Sequence, residues 1–211
     1  MTNSLDNKFP ENCFISGFTG DKFLEIVQSN MDLTAWGFKL VYKELNDFNY
    51  SKVIFNSNLC RVCFSTSPDI NPPRNDVYIT YGRLHAPNNS MNMVVDGNNC
   101  RCWFFSRFEI LQFLLGYTPK EAAKEEGLPA EVLQFSHRED VAKDYSYGGV
   151  IRELKIEAFI WQKYSPRLFQ LFDLADQKLW GEFYRFNQEY WNILEPGTDN
   201  IGPNLLHKSI Y

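Results

Sequence analysis

The chain has 211 residues, with 21 Lys and Arg against 26 Asp and Glu, for a formal net charge of −5. Hydrophobic residues make up 44% and charged residues 22%, which excludes a mostly disordered chain. The acidic balance argues against a protein that works by gripping phosphates, which needs basic patches.

Length predicts a single domain over 1–211, with 1–12 and 195–211 as irregular termini. The second terminus carries Pro196, Gly197, Gly202 and Pro203. A chain of this size buries roughly 70% of the surface its unfolded form exposes, so it needs no disulfide or metal to fold. No apolar run approaches the roughly 18 residues of a membrane span. Met1 to Pro10 is polar, and the expectation is that it is no signal peptide. Five cysteines, Cys13, Cys60, Cys63, Cys100 and Cys102, suit reduced thiols in a cytoplasmic protein.

In chain order, Asp21 to Asn30 reads as a short helix, since Phe23, Ile26 and Val27 recur at helical spacing. Phe38 to Tyr42 is an apolar, β-leaning strand, and Val53-Ile54-Phe55 is a second apolar run. Cys60, Val62 and Phe64 fall on one face of a strand, with Arg61, Cys63 and Ser65 on the other. Pro68, Pro72 and Pro73 predict a loop. Val77, Ile79 and Tyr81 alternate with Tyr78, Thr80 and Gly82 in a further strand. Met93 to Val95, Asp96-Gly97 and Cys100 to Phe105 predict a hairpin, with Asn98 and Asn99 as further loop residues.

The period then changes. Phe108, Leu111 and Leu115 share a helical face that Gly116 ends. Thr118-Pro119-Lys120-Glu121 has the form of a capping box, and its helix should stop near Gly127. A second short helix should start at Pro129. Another runs from about Val150 to Tyr164, and Ser165-Pro166 reads as a break. A long helix follows over 166–194, where Leu168, Phe172, Ala175, Leu179, Phe183, Phe186 and Tyr190 form one apolar stripe. Strands first and helices afterwards predict an α+β fold, an antiparallel β-sheet over roughly 38–105 packed against a helical half over roughly 107–194.

Four residue sets could carry function. The cysteine pairs Cys60/Cys63 and Cys100/Cys102 are the first. Zinc needs thiolates converging at about 2.3 Å, but an odd separation on a strand sends Cys60 and Cys63 to opposite faces. Buried strand thiols are expected instead, with no metal and no cofactor. Tyr81, Arg83 and His85 are the second set. They alternate at a strand end and would project to one side, where they could bind an anion or perform acid–base chemistry, with Asp76 or Asp96 to orient the imidazole. A solvent-facing strand tip accounts for the same residues.

The third set, Thr118 to His137, resembles a helix-turn-helix over about 20 residues through Ala122, Ala123, Gly127 and Leu133. Glu126 and Ser136 occupy positions that are apolar in that motif. Its reading helix offers only Gln134, His137 and Arg138, and 107–143 carries five basic against seven acidic residues. That balance disfavours nucleic acid as a partner. The fourth set is Trp180, Tyr184 and Trp191, a second aromatic stripe on the long helix. Burial on two sides accounts for it, as does a surface for a partner.

The aromatic content of 16% has the same two readings, a Phe-rich core or an aromatic-lined binding surface. No GxSxG, HExxH, GxxxxGK[ST] or GxGxxG motif occurs. The leading expectation is therefore a non-catalytic binding or protein-interaction module, as a homo-oligomer through helix 166–194 or with another protein. The alternative is a small hydrolase- or lyase-like enzyme acting on an anionic molecule through Arg83, His85 and Tyr81. A DNA-binding protein working through 118–138 is third.

Overall fold

A computed structural model describes residues 20–45, 51–70, 73–86, 93–96, 99–102, 104–124 and 147–194. In chain order its elements are α1 (Gly20–Asn30), β1 (Lys39–Glu44), β2 (Ser51–Asn56), β3 (Arg61–Ile70), β4 (Pro73–Gly82), β5 (Met93–Asp96), β6 (Asn99–Cys102), β7 (Phe104–Ser106), α2 (Arg107–Leu114), α3 (Pro119–Lys124), α4 (Tyr147–Gln170) and α5 (Gln177–Leu194). The fold is α+β. Five antiparallel strands lie in the order β1-β2-β3-β4-β7, and β5 and β6 form a separate two-stranded ribbon.

Period-two alternation decides what each strand offers to each side. Val53 and Phe55 on β2, Val62 and Phe64 on β3, Ile79 and Tyr81 on β4, and Phe105 on β7 join one core with the helices. Ile54, Cys63 and Phe104 face the other way and are buried with Ala86 in a smaller cluster. On the helical side α4 lies along β4, α1 packs on α4, α2 meets both α4 and α5, and α3 lies against α5.

Aromatic rings fill the space between the layers. Trp161 meets Trp36, Phe38 and Phe169 with ring centroids 5.0 to 6.2 Å apart. Phe105, Phe172, Trp180 and Phe183 form a second group within 6.4 Å of one another. Each such ring removed from water contributes roughly 1.5–3 kcal/mol, and edge-to-face pairs add to it.

Several boundaries differ from the sequence expectations. The prolines at 68 and 73 do not make a loop, because β3 and β4 continue together to the pair Ile70–Pro73. β2 stops accompanying β3 at Thr66, so this extension has an open side where a missing N–H breaks no ladder bond. In the hairpin at 93–102 Asp96 and Asn99 are paired strand residues, and Phe104 to Ser106 form a separate strand, β7, on the main sheet. Leu115 is the C-cap of α2 and is exposed, so it does not share the buried face with Leu111. Gly116 does end that helix. Its φ of +84° allows the turn in which Gly116 N–H donates to Phe113 and Tyr117 N–H donates to Gln112.

The largest difference is in the C-terminal half. Ser165-Pro166 is no break, since α4 runs through Pro166 to Gln170. Pro166 and Gln162 both lie on the exposed face, where water can serve the carbonyl that proline leaves without a partner. The break comes at 171–176 instead. Asp173 Oδ1 accepts from Ala175 N–H at 2.9 Å, and Asp176 Oδ1 accepts from Leu179 N–H at 2.9 Å, which caps the start of α5. The expected stripe over 166–194 is therefore split between two helices. The capping box at Thr118 forms as expected, with Glu121 Oε2 accepting from Thr118 N–H at 2.9 Å and Thr118 Oγ1 at 2.8 Å.

Two glycines carry opposite expectations. A Cβ on Gly20 would lie 2.5 Å from Leu45 Cβ and 2.8 Å from its Cα, whereas one on Gly181, inside α5, would meet nothing within 4 Å. Gly20→Ala should destabilise the fold by about 1–3 kcal/mol through overpacking. Gly181→Ala should stabilise it by about 1 kcal/mol through helix propensity. Urea denaturation of both variants checks the pair; equal signs would refute the close approach of α1 to the end of β1.

Candidate functional site

Two polar structures are set into the aromatic core. The first joins β4, α2 and α4. Glu157 is fully buried, and its Oε1 accepts the hydroxyl hydrogen of Tyr81. Trp161 Nε1 donates to Tyr81 Oη at 2.5 Å and lies 3.1 Å from Glu157 Oε1. The other carboxylate oxygen takes Arg107 Nη1 at 3.0 Å, and Arg107 Nη2 donates to Glu153 Oε2 at 2.5 Å. Burial works against the Arg107 charge, but Glu157 and Glu153 outweigh it and raise its pKa. Burial first, and then the Glu157 charge, hold the Tyr81 phenol protonated well above its ordinary range.

Glu109 makes a related joint at the start of α2. Its Oε2 accepts Ser106 N–H at 2.7 Å, while Oε1 accepts Asn187 Nδ2 at 2.7 Å and Trp191 Nε1 at 2.8 Å from α5.

The second polar structure is at the end of β4. Arg83 is 4% exposed, and its guanidinium carbon lies 4.4 Å from the ring centre of Trp180, itself 5% exposed. The acceptors around Arg83 are few and distant. Nη1 reaches Gln177 Oε1 at 3.3 Å, Nη2 reaches the Asp173 carbonyl at 3.4 Å, and Nε has no acceptor. Trp180 Nε1 has none either. Burial pushes the Arg83 pKa down to about 10, against the opposing pull of Asp173 and Asp176. His85 lies two residues on, in the turn closed by Ala86 N–H to the Arg83 carbonyl, and is exposed. Its pKa is lowered by desolvation and then by the positive charges of Arg83 and Arg61.

The residues singled out from sequence thus regroup. Tyr81 and Arg83 do lie toward the helices, but Tyr81 belongs to the Glu157 network while Arg83 pairs with Trp180. His85 is exposed in the turn beyond Arg83, whose charge acts on it. Trp180 and Tyr184 are buried in the chain's own core, their rings 6.3 Å apart. Trp191 is half-buried and tied to Glu109. Cys60 and Cys63 are free, buried thiols in the two separate clusters, on opposite faces of the sheet as their spacing required. Among the described residues no group of three or more His, Cys, Asp or Glu is placed to hold a metal ion. Of the helix-turn-helix resemblance only α3 is described; Gly127 and the second helix, with Gln134, His137 and Arg138, lie outside the described residues, as do Cys13 and the side chains of Asp76, Asp96, Cys100 and Cys102.

Sequence reasoning missed Arg107, Glu153 and Glu157, although a signal existed. Val150, Leu154, Glu157 and Trp161 step by 4, 3 and 4, so the acid occupies a position on an apolar helical face. Such an acid must find a buried cation or hydrogen-bond donors.

Comparison with protein-family models, with curated proteins and with solved structures found no match.

Two predictions follow from this geometry. Glu157→Ala leaves Arg107 buried with half its neutralisation and should cost about 3–5 kcal/mol. Adding Arg107→Met should recover part of that loss, so a double variant whose cost equals the sum of the singles would contradict the coupling. The thiols give a pH dependence. Burial pushes Cys60 up to about 12 and Cys63 up to about 11, while the unfolded thiols ionise near 9.0. Above that value the native state holds more protons than the unfolded state, so stability must fall as pH rises. Urea midpoints measured at about pH 8 and about pH 10.5 should show the fall, and Cys60→Ala should make it shallower.

Proposed function

We propose that this chain is a non-catalytic binding protein, and that the Arg83–Trp180 corner is where it recognises its ligand. One observation carries the reading: a buried guanidinium and a buried indole are stacked together, and each keeps an N–H donor without an acceptor. Such donors cost about 1–3 kcal/mol each when left unmade, a cost that a bound acceptor removes.

The surroundings favour binding over acid–base chemistry. Desolvation first, and then the cations Arg83 and Arg61, lower the His85 pKa and disfavour an imidazolium intermediate. Tyr81, the other acid–base candidate, keeps its proton inside the Glu157 network. The buried free thiols suit a reducing compartment, and a cytoplasmic location is part of the proposal. No helix among the described residues is long and apolar enough to cross a membrane.

Self-association is a second reading. Within 166–194 it would use the end of α5, where Ile193 is 42% exposed near the half-buried Tyr190–Trp191 pair. Native mass spectrometry of freshly purified protein tests both. The binding reading expects a small added mass on the wild-type chain that Arg83→Gln loses. A clean chain mass in both proteins argues against it, and an oligomer that Ile193→Glu dissociates would favour the second reading.

A further inference from the structure

Gln177 links the buried arginine to the surface, since it is exposed and accepts a hydrogen bond from Arg83 Nη1. It is the first residue of α5 and is exposed, yet its amide is folded inward over the guanidinium. Its Oε1 accepts from Arg83 Nη1 at 3.3 Å, and its Nε2 donates to the Leu174 carbonyl at 2.6 Å. A rotation of this exposed side chain would free Arg83 Nη1 without moving the backbone.

What lies beneath is a cation with weak neutral partners. Both of its hydrogen bonds are longer than 3.2 Å, beyond the usual range for N–H···O, and Nε makes none. The two nearby acids, Asp173 and Asp176, act on the Arg83 charge only from a distance. Asp173 Oδ1 and Asp176 Oδ1 are occupied by the backbone N–H groups of Ala175 and Leu179, and among the described residues neither acid forms an ion pair with Arg83. The contrast is Arg107, a similarly buried arginine held at 2.5 and 3.0 Å by two carboxylates. The same fold thus shows what a satisfied buried guanidinium looks like, and Arg83 lacks the carboxylates. Arg61 adds positive potential near the same end of β4, where its charge acts on His85 together with that of Arg83.

We propose that this corner is an oxyanion site in which a compact carboxylate or phosphate group displaces the Gln177 amide and takes the hydrogens of Arg83. The proposal rests on the binding reading above and names the chemistry of the ligand. An oxyanion supplies what the corner lacks, a charged acceptor with more than one oxygen for a forked donor. The Trp180 ring backs the guanidinium, its centre 4.4 Å from the guanidinium carbon. Gln177 acts as a neutral stand-in for the ligand's oxygen.

The test is calorimetric titration of the full chain with inorganic phosphate and, separately, with acetate. Wild type should bind at least one of them. Gln177→Ala should bind it more tightly, because the stand-in is gone. Gln177→Glu should bind it about tenfold or more weakly, because a tethered carboxylate occupies the corner. Gln177 is exposed, so these variants remain informative if Arg83→Gln does not fold. Equal affinity in wild type, Gln177→Ala and Gln177→Glu marks a non-specific ion effect and overturns the site. If neither anion binds while the co-purified mass persists and depends on Arg83, the binding reading stands and the oxyanion assignment is wrong. If neither anion binds and no mass co-purifies, both are wrong.

Discussion

Glu157 is the group on which the rest of the structure depends. It is a fully buried carboxylate between sheet and helices, and an unpaired charge there would be prohibitively costly. Everything around it follows from that cost. Tyr81 must present its hydroxyl from β4, Trp161 its indole from one turn along α4, and Arg107 its guanidinium from the first residue of α2. Three elements distant in sequence are thereby held in one register. Hydrophobic packing alone, being non-directional, would not fix α4 against β4 at a particular residue. The network makes few alternative alignments acceptable, because each would strand a charge.

Arg83 lies two residues beyond Tyr81 on the same side of the chain, and the contrast between the two sites is informative. At Tyr81 the helices supply a buried acid; at Arg83 they supply an aromatic face, a side-chain amide and a backbone carbonyl. The first arrangement is closed. The second is unsatisfied, and one of its two acceptors belongs to an exposed side chain. The same fold neutralises Arg107 fully, and the incomplete shell at Arg83 is where the proposed ligand would bind. The break between α4 and α5 is part of this arrangement, because Asp173 and Asp176 turn the chain and set Gln177 and Trp180 over the end of β4.

Much of the fold was legible in the sequence because its signals are local. Alternation placed Val62 and Phe64 opposite Cys63, and capping chemistry placed the start of α3 at Pro119. The errors have physical causes as well. Pro166 read as a break because a proline removes an N–H, but on a solvent-facing turn that loss is tolerable. The true break at 171–176 lacked Gly and Pro and relied on two aspartates within an apolar stripe that looked continuous. Pro68 and Pro73 read as a loop because open sides of strands cannot be told from sequence. The site was half legible. Arg83 and Trp180 were both singled out, in different roles, since 97 positions separate them and nothing local says that they stack. Glu157 was overlooked because its meaning depends on Arg107, a partner fifty residues away.

The measurement that most directly tests this account is the nitrogen–proton NMR signal of the Arg83 Nε–H group, identified by its loss in Arg83→Lys. The account predicts a signal with the shift of a weakly bonded donor, moving downfield as phosphate or, separately, acetate is added, while the Arg107 Nε signal stays in place. An Arg83 signal that keeps one position throughout both titrations would show a donor that neither oxyanion reaches, and would contradict the account.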